Sequence, residues 1–587
     1  MNNLRNGSAF MPLTTGVVNL ARGPIAVLFG LSITSNMLML TGSVFMLQVY
    51  DRVLPSRSMP TLVALTALVA FLYGFYALIE WIRARMAARL GGLIHDRLAV
   101  ALFQASIKQR LRPGFSSGSD PIRDLDSLRQ FASGMGPISL LDLPWLPIYL
   151  ALAFMLHPLL GVLATAGAIV ICILLVINEL HSRQPAQATT AAAIERSAQT
   201  NDARSNAESI VAMGMLRAIS RRWEKTAQNL VRTQQRSADR SAFYSSLTKG
   251  FRYLLQSAVL ATGAYLVIQG EITAGFMIAT SILTSRALAP VEQVVAHWRG
   301  FVSARQASTR IRETLAFTTM PVPATHLPLP GETLAVTNLA TGPDPRRPPV
   351  AAGIGFTLRA GDGLGIIGPS GSGKSSVARA LVGVWPALHG EIRLDGSELC
   401  HYDPERLGQT IGYMPQSVEL FDGTVAENIC HFQSEPDPEA ILEAAQAARV
   451  HELIVALPNG YDTRIGELGS ILSAGQRQRI GLARALFGDP FLIVLDEPNS
   501  NLDAEGDVAL SEALSSARQR GAIVIVIAHR PSAVAAVDKL LFMRGGRQIL
   551  FGDKQAVLRQ ITPPPTVVGE KHKNDSDNRE LEKPAQA

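Results

Sequence analysis

Cysteine is nearly missing from this chain: three in 587 residues, Cys172, Cys400 and Cys430. That excludes a disulfide scaffold, and their spacing excludes a cysteine-based metal site. They read as reduced, buried small residues. Charge is scarce as well. Asp, Glu, Lys and Arg make up 17% of the sequence, against about 25% in ordinary soluble domains. Hydrophobic residues reach 47%, and mean hydropathy is +0.19. Disorder is thereby excluded for the bulk of the chain, and a wholly soluble protein does not fit. Nor does one sign of charge dominate. With 54 basic and 48 acidic side chains the net charge is +6, which suggests no nucleic-acid partner but allows a positively biased cytoplasmic face.

Long uncharged runs fill the first half. Gly23 to Tyr50 is 28 residues without a formal charge, and Ser58 to Ile79, ended by Glu80, is a second run. A bilayer core takes about 20 apolar residues per helix, so each run spans once. Leu143 to Asn178 is uncharged over 36 residues. A turn at His157-Pro158 divides it into a third and a fourth span, near Gly136–Leu156 and Leu159–Asn178. Tyr253 to Gly270 supplies a fifth, and the stretch from Ala274 a sixth. The first run is too long for a cleaved signal peptide and ends without a small-residue cleavage site.

Basic residues set the orientation. The segment between spans two and three carries Arg83, Arg85, Arg89, Arg97, Lys108, Arg110, Arg112, Arg123 and Arg129, and Arg183 to Arg252 adds twelve Lys or Arg. The turns at His157 and Glu271 carry none, and the first hairpin has only Arg52 and Arg57. Both termini and both long segments therefore belong on the cytoplasmic side. Their Ala/Arg/Gln/Glu-rich composition predicts helices continuing beyond the bilayer, with most of the charge on solvated faces. Arg286 falls inside the sixth span. It either lines a central polar pathway or snorkels to the inner interface.

Composition changes after residue 317. Pro321, Pro323, Pro328 and Pro330 mark a linker, and apolar strands then alternate with helical stretches in an α/β pattern. The strand Leu364-Gly-Ile-Ile runs into Gly368-Pro369-Ser370-Gly371-Ser372-Gly373-Lys374-Ser375 and then a helix from Ser376. This is a P-loop in its proper setting. Its glycines let successive N–H groups face phosphate oxygens, and the helix adds its positive end. Lys374 should reach the β- and γ-phosphates of ATP, and Ser375 should hold Mg²⁺. A second strand, Leu492-Ile-Val-Leu495, delivers Asp496 and Glu497. Asp496 would bind Mg²⁺ and Glu497 would polarise the attacking water. A third strand, Ile523–Ala528, ends at His529, placed to contact the γ-phosphate; alone, such a histidine is more often structural.

These motifs join a set. Leu472-Ser473-Ala474-Gly475-Gln476, followed by Arg-Gln-Arg-Ile, resembles the signature sequence of ABC-transporter ATPases. Gln416, in Tyr413-Met-Pro-Gln416, resembles their Q-loop, which implies contact with the metal ion and the attacking water. Ser500-Asn-Leu-Asp503 resembles the D-loop, His529 the switch histidine, and Thr463–Gly469 the loop that precedes the signature in exporters. Within that family the signature of one ATPase domain caps the γ-phosphate held by the P-loop of another. With one copy of each motif, the resemblance implies a homodimer, or a dimer with a similar half-transporter, in which Ser473, Gly475 and Gln476 complete the partner's site.

Two positions depart from the family pattern. Ala474 stands where a second glycine is usual, which implies slower rather than absent hydrolysis. No aromatic residue lies between Glu332 and Gly355 to stack on adenine. Arg346 or Arg347 either takes that place through its guanidinium plane or is a solvated linker charge.

In the membrane half, Val49-Tyr-Asp-Arg-Val-Leu-Pro-Ser56, Asp142-Leu-Pro-Trp145-Leu-Pro147 and Asn206-Ala-Glu-Ser-Ile-Val-Ala-Met-Gly-Met215 resemble the type I protein-secretion ATPases, nearest their protease-exporter (PrtD-like) branch. The resemblance implies export of an unfolded polypeptide with an uncleaved C-terminal signal, from the bacterial inner membrane, together with a periplasmic adaptor and an outer-membrane channel protein. Only some 22 residues precede the first span, so no peptidase domain and no leader cleavage are expected. A lipid, drug or peptide exporter shares the same plan. The expected fold is thus an α-helical six-span membrane domain plus an α/β P-loop ATPase domain, the ABC exporter architecture. Its expected parts are a cytoplasmic segment 1–22, membrane domain 23–317, linker 318–331, ATPase domain 332–556 and a disordered tail 557–587.

Overall fold

The computed structural model describes residues 11–111, 120–318, 327–466, 469, 471–500, 502, 504–528 and 534–561. It separates into two compact units, Met1–Pro321 and Val322–Ala587.

The first unit is helical and, among the described residues, has six helices long and apolar enough to cross a membrane. Helix Met59–Arg110 has 52 residues, Pro158–Ser205 has 48, Leu216–Ile268 has 53 and Ala274–Thr318 has 45. At 1.5 Å per residue the first of these is about 78 Å long, more than twice a ~30 Å hydrocarbon core. The charged segments between spans are therefore largely continuations of the spans. Proline and capping residues place the breaks. His157 is extended (φ −161°, ψ 132°), and its Nδ1 accepts from Leu159 N–H at 3.2 Å, so Leu146–Leu156 stops and Pro158–Ser205 starts across one residue. Asp120 caps Pro121–Ser133 by accepting from Ile122 N–H at 3.0 Å, with proline in the first turn, where its missing N–H costs nothing.

The core of this unit joins Leu160, Ala168 and Ile171 of span four to Leu255, Val259 and Leu266 of span five and Leu288 and Val291 of span six. Small residues permit the approach: a Cβ on Gly167 would lie 2.1 Å from Leu255. Beyond the spans, Leu98, Leu102 and Ala105 pack with Leu125, Ile311 and Leu315.

One basic residue departs from the solvated reading. Arg83 is 2% exposed. Its two terminal nitrogens reach Glu80 at 2.5 Å and Asp142 at 2.7 Å. Ser32, Ser35 and Asn36 of span one bond to the same carboxylates, and Tyr149 donates its hydroxyl to Asn36 at 2.9–3.0 Å. Arg286 is exposed on the last long helix. Cysteines also divide: Cys430 is buried, Cys172 half-buried and Cys400 exposed, so burial holds fully for one of the three.

The second unit is built on a ten-stranded sheet. Its strands are β1 (Thr333–Thr341), β2 (Ala351–Arg359), β3 (Gly363–Ile367), β4 (Ala387–Leu394), β5 (Ser397–Glu398), β6 (Ile411–Met414), β7 (Leu492–Asp496), β8 (Ile523–Ile527), β9 (Lys539–Arg544) and β10 (Arg547–Asp553). The spatial order is β5-β4-β1-β2-β10-β9-β3-β8-β7-β6. β9, β3, β8, β7 and β6 run parallel, whereas β1 pairs antiparallel with β2 and β4. β7 and β8 are buried along their whole length, as unbroken apolar runs in a doubly covered parallel sheet should be. Two apolar layers result. One includes Val377, Leu381 and Leu364; the other includes Ile441, Ile480 and Leu510.

Candidate functional site

Parallel register puts the loops of chemical interest at one edge. Ile366 of β3 pairs with Ile527 of β8, and Leu495 of β7 pairs with Val526 of the same strand. The turns that leave β3, β7 and β8 therefore emerge side by side at the carboxyl ends of the strands, where open α/β sheets bind ligands.

From β3 the chain enters the loop 368–373. Gly368 has φ 153° and Gly373 φ 88°. A Cβ on Gly368 would lie 2.1 Å from the Met543 carbonyl, and one on Gly373 would lie 3.1 Å from the Val350 carbonyl. Only glycine fits either place. The helix Lys374–Leu381 follows, with Gly373 at its N-cap and no side chain taking up its first N–H groups. Those donors and the helix dipole make an anion site. Lys374 is 5% exposed, and its Nζ donates to the carbonyls of Gly368 (2.9 Å) and Pro369 (3.0 Å). Burial pulls its pKa below the usual lysine range, against the opposing pull of Glu497 and Asp496.

Asp496 ends β7 and is 1% exposed. Neither carboxylate oxygen has a well-formed hydrogen bond among the described residues. Burial pushes its carboxyl above the ordinary range, opposed by the neighbouring Ser375 hydroxyl. A buried carboxylate so short of donors is costly. The hard oxygen donors of Asp496 and Ser375 would suit a cation such as Mg²⁺.

Glu497 sits at φ 54°, a left-handed conformation costing a non-glycine residue of order 1–3 kcal/mol. Its N–H donates to the Ile527 carbonyl at 3.0 Å, so the next strand holds the turn that aims its side chain. Gln416 lies two residues beyond β6, the neighbour of β7, and is exposed.

The P-loop, Lys374, Ser375, Asp496 and Glu497 thus form one constellation. Ser473 stands apart from it. Its helix Ala474–Leu486 packs on the helices Val425–Ile429 and Pro438–Ala447 and on β6, whereas the P-loop helix packs on β1, β2, β7 and β8. Ser473 Oγ accepts from Gln476 N–H at 3.2 Å, and Gln476 Oε1 accepts from Ser473 N–H at 2.9 Å, a capping box. Ala474 is exposed in the first turn of this helix, and it carries no positive φ. His529 and Asp503 lie outside the described residues.

Two residues of this neighbourhood were not singled out from sequence. Arg379, on the P-loop helix, acts electrostatically on Asp496, and its guanidinium lies over the Trp385 ring, 5.0 Å from the centroid. Gln478 reaches from the Ser473 helix to the carbonyl of Pro498 at 2.6 Å. The polar residue within an apolar helix face was a visible signal; its partner was not.

Comparison with known proteins bears on both units. A family described as ABC transporter matches residues 351–500, and one described as ABC transporter transmembrane region matches residues 25–290. The chain is 49% identical over 533 residues to the type I secretion system ATP-binding protein PrsD of Rhizobium meliloti (strain 1021), covering 91% of this chain and 92% of that one. It is 28% identical over 531 residues to the leukotoxin translocation ATP-binding protein LktB of Mannheimia glucosida, covering 87% and 73%. Among solved structures, a bacterial Atm1-family ABC exporter with ATP bound aligns with TM-score 0.81 at 21% identity, over 92% of this chain and 96% of that one. That likeness speaks to the fold.

Proposed function

The chain belongs to the type I secretion ATP-binding proteins of the ABC transporter family, and from that membership we propose that it works as a homodimer that spends ATP to export an unfolded polypeptide. The observation carrying the ATPase part is the pairing of a buried, donor-poor Asp496 with the P-loop lysine and a strained Glu497 at one sheet edge. The cargo class rests on the relatives, both described as secretion or translocation proteins.

The residues divide the work. The loop N–H groups and the helix from Lys374 bind the phosphates, and Lys374 exchanges its two loop carbonyls for phosphate oxygens. Ser375, Asp496 and Gln416 would hold Mg²⁺, which would supply neutralisation of phosphate charge there. Glu497 orients and polarises the attacking water. Ser473, Gly475 and Gln476 face the partner's nucleotide, a role supported by their helix packing on other elements than those that hold the P-loop helix of its own chain, and His529 contacts the γ-phosphate. ATP thereby closes two ATPase units, hydrolysis reopens them, and the long helices carry the change to the membrane. The charge asymmetry of the loops supports a bacterial inner-membrane protein with its ATPase unit in the cytoplasm. A periplasmic adaptor and an outer-membrane channel protein complete the path, and the cargo carries a C-terminal signal.

Reconstituted protein tests this reading. Glu497→Gln should bind ATP and stall, losing at least about a hundredfold in turnover, and Lys374→Ala should lose nucleotide affinity. Hydrolysis should rise with an unfolded polypeptide cargo. Stimulation by lipids or drugs instead would make it a small-molecule exporter.

A further inference from the structure

The side chain of Gln478 connects two parts of the ATPase unit that the strand topology keeps separate. It stands on the helix Ala474–Leu486, whose first turn Ser473 caps, and only 3% of it is exposed. Its Nε2 donates to the carbonyls of Pro498 (2.6 Å) and Glu497 (3.4 Å) and lies 3.3 Å from Ser500 Oγ. Glu497 holds its left-handed φ of 54° although a residue before proline is normally driven to extended backbone. Such a conformation persists only where its surroundings over-determine it.

Both peptides flanking the Glu497 Cα are held. On one side its N–H is fixed to the Ile527 carbonyl at the end of β8 (3.0 Å). On the other side the Glu497 carbonyl accepts from Ser500 N–H (3.3 Å) and from Gln478, which also holds the next carbonyl, that of Pro498. One anchor is a strand of the parallel sheet. The other is the helix that carries Ser473.

We propose that Gln478 is a positioning residue for Glu497: it fixes the strained turn that aims the carboxylate and passes movement of the Ser473 helix to it. This rests on the ATP-hydrolysing homodimer described above and adds to it a physical link between its two sites. Ser473 faces the partner's phosphate, and Gln478, five residues along the same rigid helix, holds the Glu497 turn of its own chain. A small rotation of that helix on engaging the partner's nucleotide shifts the amide against the two carbonyls. Since a displacement of ~1 Å in a positioning group costs about a hundredfold in rate, occupancy of one site is felt as turnover at the other.

Full-length protein in lipid nanodiscs tests this through Gln478→Met and Gln478→Glu, with Glu497→Gln as the control. Methionine matches the length and burial but donates nothing. Its kcat should fall about tenfold to a hundredfold while KM and the affinity for a fluorescent ATP analogue stay within about threefold, and the Hill coefficient for ATP should drop towards one. Glutamate keeps the shape and reverses the polarity. Its activity relative to the unaltered protein should rise as pH falls, because only the protonated acid can donate to the Pro498 carbonyl. A Gln478→Met protein with unaltered kcat and cooperativity overturns the inference, as does loss of kcat and nucleotide affinity together. If methionine prevents folding, a flat pH ratio for Gln478→Glu overturns it by itself. If Glu497→Gln turns over normally, the hydrolytic reading fails; if that variant is inert while Gln478→Met is unaffected, only the role of Gln478 falls.

Discussion

Arg83 and Asp142 meet at 2.7 Å between two membrane-spanning segments, and the second terminal nitrogen of the same guanidinium takes Glu80 at 2.5 Å. Asp142 opens the Asp-Leu-Pro-Trp motif. Its carboxylate also accepts from Ser32 and Asn36 of span one, so the motif ties three spans through one acidic group. Trp145 stacks near Tyr149, with ring centroids 6.5 Å apart, which adds an interior role to its reading as an interfacial anchor.

Removing one member of a buried ion pair leaves the other uncompensated, at about 3–5 kcal/mol. Arg83→Met should therefore lower the thermal unfolding midpoint in detergent sharply, and adding Glu80→Gln and Asp142→Asn should recover much of it. Arg83→Lys should fall between, since an ammonium is a point charge and cannot fork to two acceptors. Equal stability of Arg83→Met and the native protein would refute the pairing.

Asp51 has a comparable role at the opposite, short-turn end. It lies in a π-helical turn, Val49–Val53, and its carboxylate accepts from Thr273 Oγ1 (2.6 Å) and Gly275 N–H (3.0 Å) at the start of the last long helix. Asp51→Ala should cost about 1 kcal/mol, the usual value of an N-cap, whereas Asp51→Asn should retain most of it. Gly275→Ala should resemble the loss of Asp51, because its Cβ would sit 2.5 Å from that carboxylate. Differential unfolding of the three variants decides.

Base selectivity should be weak. The β1–β2 connection backs onto the phosphate loop through the Val350 carbonyl at Gly373, yet it contains no aromatic ring between Glu332 and Gly355. Arg346 and Arg347 are exposed there, the latter 3.8 Å from Asp344. An exposed cation–π contact is worth ~0.5–1 kcal/mol, so ATP and GTP should be hydrolysed with kcat/KM within about fivefold. A strong preference for ATP would show that another group reads the base.

Acid should weaken the ATPase unit partly through Asp362. Burial raises its carboxyl, but Arg359 N–H and the Lys539 ammonium at 2.5 Å outweigh that and hold it below the ordinary range. A folded-state value below the unfolded one (~3.9) means stability fully present above pH ~4 and lost as pH falls through the lowered value. Asp362→Asn should remove this share of the acid dependence while leaving a deficit at neutral pH. Unfolding midpoints of both proteins between pH 3 and 7 measure it.

Much of this protein was legible in linear order because its signals are local. A P-loop needs glycines at fixed offsets, a span needs uninterrupted apolar length, and His157-Pro158 stops a helix wherever it falls. Gln478 was not legible in the same way. Its partner carbonyls are about twenty residues away and are reached only because β7 returns alongside the helix.

The one-dimensional chain determined a glycine-rich loop at residues 368–375 after one strand, two adjacent carboxylates at 496 and 497 after another, and six long apolar segments before them, since each depends on covalent spacing. Tertiary structure decided what charge spacing cannot express. It buried Arg83 between two carboxylates rather than in water, bent Glu497 into the left-handed region, and packed the Ser473 helix on other elements than those that carry the P-loop helix. Burial and pairing depend on which distant atoms come to share a dielectric environment.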